Sequence, residues 1–324
     1  MRALHEQIRS EVRAQLLQHS SEWLAQATES AEGDTQFRID VQVERLLLQF
    51  CQQWAQETPF VLVAEGISEH GWLALPQGTD EEEGQFVLVI DPIDGSRMIM
   101  YDKRSAWCLT GIAPNRGRQT TLADIQIAIQ TELPTTRQHL ADTLWAVRGQ
   151  GAFGERRNLL DGSTSTFRPR PSSAPDLRYG FASIANFFPD GKAWLATLEE
   201  RLYRDLGSLD VRGNPLVFAD QYLSTGGQIY ELSVGHDRFI ADLRPVAFRH
   251  LGYTTLPLCA HPYDACTELI AREAGAIITD EYGQQLRTPL DIREPVAWIG
   301  YANPALRASI EPVLLKLLHG EAER

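Results

Sequence analysis

The sequence contains no long uninterrupted apolar run. No stretch approaches the roughly 18 consecutive apolar residues that a membrane-spanning helix requires, and this excludes a helical membrane protein. The N-terminal stretch MRALHEQIRSEVRAQLL mixes charges of both signs with leucines at helical spacing, and it lacks the apolar segment of a signal peptide. We therefore expect a cytoplasmic location and no membrane partner.

Cysteine is scarce, with four residues in a chain of 324. The four thiols are Cys51, Cys108, Cys259 and Cys266. None of them belongs to a CxxC pair, the spacing that is typical of structural zinc sites and dithiol redox motifs. Buried or free thiols in a reducing compartment fit this pattern better than disulfides or zinc ligands.

Positive charge is also in short supply. Lys and Arg number 30 against 43 Asp and Glu, so the formal net charge is −13. Binding to nucleic acid requires a basic face, and we therefore expect no nucleic-acid partner. A small phosphorylated molecule is not excluded, because bound cations can reverse the field in an acidic site.

Hydrophobic spacing predicts a mixed α/β chain. Two amphipathic helices are predicted over the first ~30 residues and over 39–54. Apolar runs at 59–66 and 86–90 predict buried strands, and further strands are predicted near 110–114, 125–131 and 143–149. Residues 149–165 are rich in turn formers, and helices and strands alternate again beyond 176. The polar, proline-rich stretch 163–176 suggests a boundary between an N-terminal α+β region (1–165) and a C-terminal α/β region (166–324).

The stretch FVLVIDPIDGS places two carboxylates directly after a buried strand. Asp91 follows five apolar residues, and Pro92 makes the exit from the strand rigid. Asp94 returns a second carboxylate, and Gly95 and Ser96 can open a helix whose N–H groups face an anion. Oxygen ligands of this kind suit Mg²⁺. The alternative is an ordinary strand end with two solvated aspartates, and the short motif alone leaves both readings open.

Two other acids lie at places where ligand sites form. Asp264, in HPYDACTELIAREAG, is placed to cap a helix that Gly275 would end. Glu65 ends the predicted strand VLVAE. Taken singly, each has an ordinary structural explanation.

Taken together and in this order, the three motifs resemble the inositol monophosphatase superfamily. The resemblance implies a layered αβαβα sandwich of the sugar-phosphatase type, with the site between the two regions. It also implies a Mg²⁺-dependent, lithium-sensitive phosphomonoesterase that holds two or three ions and attacks its substrate directly with metal-activated water. Homodimers are usual in the family, so a homodimer is possible here.

The resemblance assigns a role to each matching residue. The metal ligands it implies are Glu65, Asp91, the Ile93 carbonyl, Asp94 and Asp264. Asp40 matches a helix-borne acid that pairs with the Ser96 hydroxyl, and these two with Glu65 would orient or deprotonate the water. Asp91, Gly95, Ser96 and Asp242 would contact the substrate, with Asp242 receiving a substrate hydroxyl.

Several departures from the family pattern leave the substrate open. One acid follows the early strand where the family often has two, and Glu69 is an alternative ligand. Arg97 follows Ser96; it could contact a substrate anion, but we expect it to be exposed or structural. Glycines 226 and 227 are compatible with either a substrate-side loop or a packing role. The segment between Asp242 and Asp264 is lengthened and is expected to reshape the pocket.

Three functions compete at this point. The first is a phosphatase of inositol phosphates or sugar phosphates, with 3′-phosphoadenosine nucleotides as the alternative substrates in the same superfamily. The second is a non-catalytic member that binds Mg²⁺ and a phosphorylated ligand as a regulator. The third is a glycoside hydrolase with paired carboxylates, which suits neither the DPIDG turn nor Asp264. The complete ligand set favours catalysis.

Overall fold

The computed structural model describes residues 1–28, 36–68, 70–207 and 212–320. Its helices are α1 (Arg2–Gln18), α2 (Ser21–Leu24), α3 (Arg38–Ala55), α4 (Ser96–Ile99), α5 (Lys192–Asp205), α6 (Thr225–Ser233), α7 (Arg244–His250), α8 (Pro262–Ala265), α9 (Glu268–Ala274) and α10 (Pro304–His319). Its strands are β1 (Phe60–Val63), β2 (Trp72–Leu75), β3 (Phe86–Asp94), β4 (Ala106–Pro114), β5 (Ile127–Leu133), β6 (Leu140–Val147), β7 (Ala152–Asn158), β8 (Thr164–Phe167), β9 (Gly180–Ile184), β10 (Val217–Phe218), β11 (Asp237–Asp242), β12 (Ile277–Thr279) and β13 (Trp298–Tyr301).

The strands form two sheets. The first has eight strands in the order β2-β1-β3-β4-β5-β6-β7-β8, and only its β1–β3 pair is parallel. The second has five strands in the order β10-β9-β11-β13-β12. Within it β9 is parallel to β10 and β11, and β13 is antiparallel to its two neighbours. Because β9 and β11 are parallel, the residues after Ile184 and after Ala241 emerge at the same edge of the second sheet.

Helices cover the sheets in three layers. α1 and α3 lie on one face of the first sheet, α6 and α9 lie between the sheets, and α5 and α10 contact the second sheet from its other side. The layer order is therefore αβαβα. The predicted mixed α/β class and layered sandwich are confirmed.

Strand β3 separates two apolar clusters, and its alternating side chains belong to different clusters. Leu88 and Ile90 pack into the cluster under α1 and α3, whereas Val87 and Val89 pack into the cluster between the sheets. All four are fully buried. A strand that is covered on both faces needs a continuous apolar sequence, which explains the FVLVI run.

Helix α1 is fastened to the first sheet by buried polar groups as well as by apolar packing. The His5 ring nitrogens lie 2.9 Å from Thr131 Oγ1 and 2.8 Å from Thr110 Oγ1. Arg9 donates from Nε to the Glu132 carbonyl at 2.8 Å. Both side chains are almost completely buried. Because the buried groups have partners, α1 can lie on the sheet without an unsatisfied polar atom from either of them.

The prediction of turns over 149–165 is wrong for residues 152–158, because β7 lies there. The sequence of β7, AFGERRN, contains charged residues and a glycine, so it lacks the apolar pattern by which a strand is recognised. A Cβ on Gly154 would lie 2.5 Å from the Phe167 ring of the paired strand, so this position requires glycine.

The division of the chain at residue 165 stays a prediction. Strand β8 spans that residue, and residues 168–179 connect the first sheet to the second. Across the described ranges, no helix is both long enough and apolar enough to cross a membrane.

Candidate active site

The DPIDG motif forms a β-bulge at the end of β3. Asp91 pairs with Leu109 and Asp94 with Trp107, so Pro92 and Ile93 together oppose a single residue of β4. The Asp91 Oδ1 atom accepts a hydrogen bond from the Ile93 N–H at 3.0 Å. In a regular strand, side chains three positions apart point to opposite faces. The bulge inserts one residue and brings both aspartates to the side that faces the second sheet.

Asp264 completes a cluster of three carboxylates. It lies on α8, and its Oδ2 atom accepts a hydrogen bond from the His261 N–H at 2.6 Å. The prediction that Asp264 caps the helix ended by Gly275 is wrong. His261 is the N-cap of α8, with Pro262 at the first helical position, and Gly275 ends the separate helix α9. One carboxylate oxygen each from Asp91, Asp94 and Asp264 lies within 4.8 Å of the others.

The cluster has the electrostatics of a cation site. Burial, reinforced by neighbouring carboxylates, raises the pKa of Asp91 and of Asp264 well above the usual range for aspartate. Three carboxylates at this separation, one buried and two partly buried, repel one another unless a cation or protons neutralise them. Carboxylate and carbonyl oxygens are the donors that Mg²⁺, Mn²⁺ and Ca²⁺ prefer. The residues present therefore fit the divalent cation that the sequence resemblance implies.

The first turn of α6 holds Asp94, one of the three carboxylates, in place. Asp94 Oδ2 accepts hydrogen bonds from Ser224 Oγ at 2.8 Å and from the Gly226 N–H at 2.6 Å. Burial raises the pKa of Asp94 to about 6, and these two hydrogen bonds oppose the rise. Ser224 is also the N-cap of α6 and accepts from the Gly227 N–H at 2.8 Å.

The two glycines at the start of α6 are required by close packing. A Cβ on Gly226 would lie 2.9 Å from Asp94 Oδ2 and 2.5 Å from the Leu109 side chain. A Cβ on Gly227 would lie 2.5 Å from the Tyr222 ring. The structure thus gives both glycines a packing role. Ser224 was missed at the sequence level, although a serine before an apolar helix is a recognisable N-cap signal.

Glu65 lies at the edge of the cluster. It follows β1, the parallel neighbour of β3, and its Oε2 atom lies 3.4 Å from the Tyr263 hydroxyl. Tyr263 precedes Asp264 on α8, and the Glu65 charge contributes to the raised pKa of both Asp91 and Asp264. The structure therefore places Glu65 beside the three aspartates, and its role as a ligand stays a prediction. Glu69, the alternative ligand, lies outside the described residues.

Gly95 and Ser96 begin a short helix beside the cluster. Gly95 has φ of +94° and caps α4, and a Cβ there would lie 2.9 Å from Met98 Cε. Glycine suits this position because other residues are strained at such φ. The Arg97 guanidinium lies 5.7 Å from the centroid of the Phe37 ring, and its side chain is partly buried. Its role stays a prediction.

The ring of Phe37 marks where α3 begins, so the starts of α3 and α4 are neighbours. Asp40 Oδ2 accepts a hydrogen bond from the Phe37 N–H at 2.9 Å and so caps α3. The pairing of Asp40 with the Ser96 hydroxyl stays a prediction.

Asp242 is fully buried and forms an ion pair with Arg244. The Arg244 Nε atom donates to Asp242 Oδ1 at 2.8 Å, and Nη2 donates to Oδ2 at 2.5 Å. The guanidinium lies 4.7 Å from the Phe187 ring centroid and 5.3 Å from that of Phe188. Arg244 begins the lengthened segment between Asp242 and Asp264, and its charge opposes the rise in the pKa of Asp264. The sequence did not suggest this partner for Asp242.

The sequence gives His70, His250 and His261 no metal-ligand spacing, and of these three His261 lies at the cluster. Its Nδ1 atom is 3.8 Å from Asp264 Oδ2 and 3.2 Å from the Tyr263 hydroxyl. His70 and His250 are exposed, which agrees with a surface role.

The fold is shared with solved structures of phosphatases. Fructose-1,6-bisphosphatase of Leishmania major matches 100% of this chain and 94% of its own, with a TM-score of 0.67 and 14% identity. The inositol monophosphatase of Zymomonas mobilis matches 98% of this chain and 96% of its own, with a TM-score of 0.55 and 15% identity.

SaIMPase-II, solved with bound inositol monophosphate, matches 98% of this chain and 93% of its own, with a TM-score of 0.60 and 16% identity. No protein-family model and no curated protein matches the chain. The chain therefore has the fold of the inositol monophosphatase superfamily, as the sequence motifs implied.

Proposed function

We propose that the protein is a Mg²⁺-dependent phosphomonoesterase of the inositol monophosphatase superfamily, acting on an inositol phosphate or a sugar phosphate. One observation carries the proposal: residues far apart in the sequence bring three carboxylates within 4.8 Å of one another at the end of a buried strand. The shared fold of a fructose-1,6-bisphosphatase and of a phosphatase with bound inositol monophosphate supports this substrate class.

Asp91, Asp94 and Asp264 would hold the cations, with Glu65 and the Ile93 carbonyl as the remaining ligands. The bulge removes Ile93 from the ladder between β3 and β4, which makes its carbonyl available for this role. When bound, Mg²⁺ lowers the pKa of water and offsets negative charge on the phosphoryl oxygens and the leaving group. We propose two or three such ions.

The remaining groups bind and orient the substrate. The backbone N–H groups at Gly95 and Ser96 would donate to phosphoryl oxygens. Asp40, Ser96 and Glu65 would orient the attacking water and accept its proton. Asp242, predicted to receive a substrate hydroxyl, would act as a pair with Arg244, because both of its oxygens accept hydrogen bonds from that guanidinium.

The proposal keeps the cytoplasmic location expected from the sequence and the homodimer that the family resemblance makes possible. Size-exclusion chromatography with light scattering tests the dimer, since a monomer of 36.3 kDa and its dimer are well separated.

The first experiment measures phosphate release from a panel of inositol phosphates, sugar phosphates and 3′-phosphoadenosine nucleotides, with and without Mg²⁺. The variant is Asp91→Asn, and the matched control is Asp205→Asn, an exposed aspartate at the end of α5. We expect turnover that requires Mg²⁺, is inhibited by lithium, falls at least 100-fold in Asp91→Asn on the scale of lost metal or electrostatic contributions, and is unchanged in the control.

Each other outcome has a distinct meaning. Turnover on 3′-phosphoadenosine nucleotides alone would replace the proposed substrate class. Mg²⁺ binding without turnover on any substrate would favour the regulatory protein. Absence of Mg²⁺ binding would refute the assignment of the site.

A further inference from the structure

Arg104 has no role in the site described above, yet its guanidinium makes several contacts near the first turn of α6. Its guanidinium lies 3.6 Å from the centroid of the Tyr222 ring. Nη1 donates to both oxygens of Asp220, at 3.0 and 2.9 Å, and Nη2 donates to Glu231 Oε1 at 3.1 Å. We call Arg104, Asp220, Tyr222 and Glu231 the Arg104 cluster. It joins the loop after α4 to both sides of the first turn of α6, because Asp220 precedes that turn and Glu231 lies on the helix.

Tyr222 is the rigid member of this cluster. Its hydroxyl donates to the Ser105 carbonyl and accepts from Trp107 Nε1, each at 2.9 Å. Its own carbonyl accepts from the Gln228 side chain at 2.8 Å, and its ring fills the space that a side chain on residue 227 would need. Because Tyr222 is almost completely buried, a shift of its ring moves the backbone that leads into α6.

That backbone reaches Asp94 two residues later. Ser224 caps α6 and donates to Asp94 Oδ2, while the Gly226 N–H donates to the same oxygen. Both hydrogen bonds are short, so a displacement of the turn by half an ångström would weaken them. These two bonds occupy one oxygen of Asp94 and fix where the other oxygen points.

Charge adds to the packing. Burial, reinforced by the charges of Glu231 and Asp220, raises the pKa of Asp237 to about 7, and the Arg104 and His236 charges oppose that rise. Without Arg104, like charges would face one another across the segment that leads into α6. Arg104 itself borders an open cavity of about 410 Å³, so a neutral side chain at this position meets no steric obstacle.

We propose that Arg104 is a positioning residue for Asp94: through Tyr222 and Ser224 it fixes the carboxylate orientation that the cation needs. The role rests on the proposed function, because it presumes that Asp94 is a metal ligand. The guanidinium of Arg104 contacts Asp220, Tyr222 and Glu231, which are not among the proposed metal ligands. Its removal therefore acts on metal affinity through the first turn of α6.

The test is a calorimetric titration of the full chain with Mn²⁺ as the probe. The variants are Arg104→Met, Ser224→Ala and the double variant, and the control is Arg2→Met. Arg2 also lies over an aromatic ring, at 4.5 Å from the Trp145 centroid, and pairs with Glu155 at 2.8 Å, but on a distant part of the first sheet.

We expect Ser224→Ala to weaken Mn²⁺ binding by about 10- to 100-fold, the usual cost of losing a hydrogen bond to a metal ligand. Arg104→Met should weaken it by about tenfold, the lower end of the same range. In the Ser224→Ala background the further effect of Arg104→Met should be under about twofold, because coupled residues are not additive. Arg104→Lys should recover part of the loss, and Arg2→Met should bind as the wild type does.

Wild-type affinity in Arg104→Met, or the same loss with and without Ser224, would overturn the positioning role and leave the proposed function intact. No Mn²⁺ binding by the wild type would overturn both. If Arg104→Met does not fold by circular dichroism, Arg104→Lys carries the comparison, since it keeps the charge and loses the ring contact and the forked ion pair. An affinity of Arg104→Lys equal to the wild type would then overturn the role.

Discussion

Acidification should weaken the packing of α1 on the first sheet, because it favours protonation of the buried His5. Burial, with smaller contributions from the positive N-terminus and Arg9, lowers the pKa of this imidazole to about 3 from the ordinary 6.5. The native state therefore holds His5 neutral between two threonine hydroxyls, whereas the unfolded chain binds a proton below pH 6.5. As a consequence, the contribution of His5 to stability is complete above pH 6.5 and is lost as the pH falls towards 3.

The magnitude follows from the two pKa values. Each pH unit within that window costs 1.36 kcal/mol. Between pH 7 and pH 5 the free energy of unfolding should therefore fall by about 2 kcal/mol from this one group. Since Thr110 pairs with Ile90, the residue before Asp91, the loosened contact lies directly behind the strand that carries the site.

The assay is urea unfolding, followed by circular dichroism at pH 7 and pH 5, of the wild type and of His5→Gln. Glutamine can donate to one threonine and accept from the other but does not titrate. Other groups titrate equally in both proteins, so the difference between the two pH dependences isolates His5. We expect the wild type to lose about 2 kcal/mol more than the variant. Equal losses in both proteins would refute the reasoning.

Three further predictions concern the site. Asp264→Asn should raise the metal-free unfolding temperature, because it removes a crowded buried charge, and should abolish the shift that Mn²⁺ produces in scanning fluorimetry. Gly226→Ala should cost about 1–3 kcal/mol in urea unfolding, because the added methyl meets Asp94, although the same change inside a helix ordinarily gains about 1 kcal/mol. Arg244→Leu should cost about 3–5 kcal/mol in the same assay by leaving Asp242 buried and unpaired, and Asp242→Asn should restore part of that loss.

Matched variants separate these effects from general damage. Arg249→Leu removes another arginine of α7, one that is about half exposed and pairs with Glu281, and it should cost under about 1 kcal/mol. A metal-free Asp264→Asn protein less stable than the wild type would contradict the crowding argument. A Gly226→Ala protein as stable as the wild type would mean that the Asp94 side chain can move away from the added methyl group without a loss of stability.

The fold was largely predictable, because its strongest signals are local. The burial of β3 on both faces appears directly in the FVLVI run, and the four-residue spacing of Ile39, Val43 and Leu47 predicts α3. Strand β7 was not predictable, because its Gly154 is required by the Phe167 ring of the neighbouring strand β8, a contact that the local sequence does not show. The helix at Asp264 begins three residues early because a proline there starts a helix as readily as it ends one.

The acidic residues of the site could be predicted from the sequence, but the hydrogen bonds that hold them in place could not. The family resemblance that the ordered motifs carry is enough to propose that Asp91, Asp94 and Asp264 meet. That Ser224 holds one of them, and that Arg244 takes both oxygens of Asp242, depends on distances between the two sheets. No local pattern encodes those distances, because each partner alone is an ordinary serine or arginine.

The bond between Gly226 and Asp94 joins positions 132 apart in the sequence. A nascent chain folded only through the first sheet would carry Glu65, Asp91 and Asp94 but neither Asp264 nor the helix that orients Asp94. Cation affinity would therefore be acquired in the last stage of folding, when the second sheet docks. By mass action, cation at about 100 times its dissociation constant would then hold the docked state by about 2.7 kcal/mol. The cation would thus stabilise the docking of the second sheet on the first. Its removal should make the interface between the sheets the first part of the protein that proteases can reach.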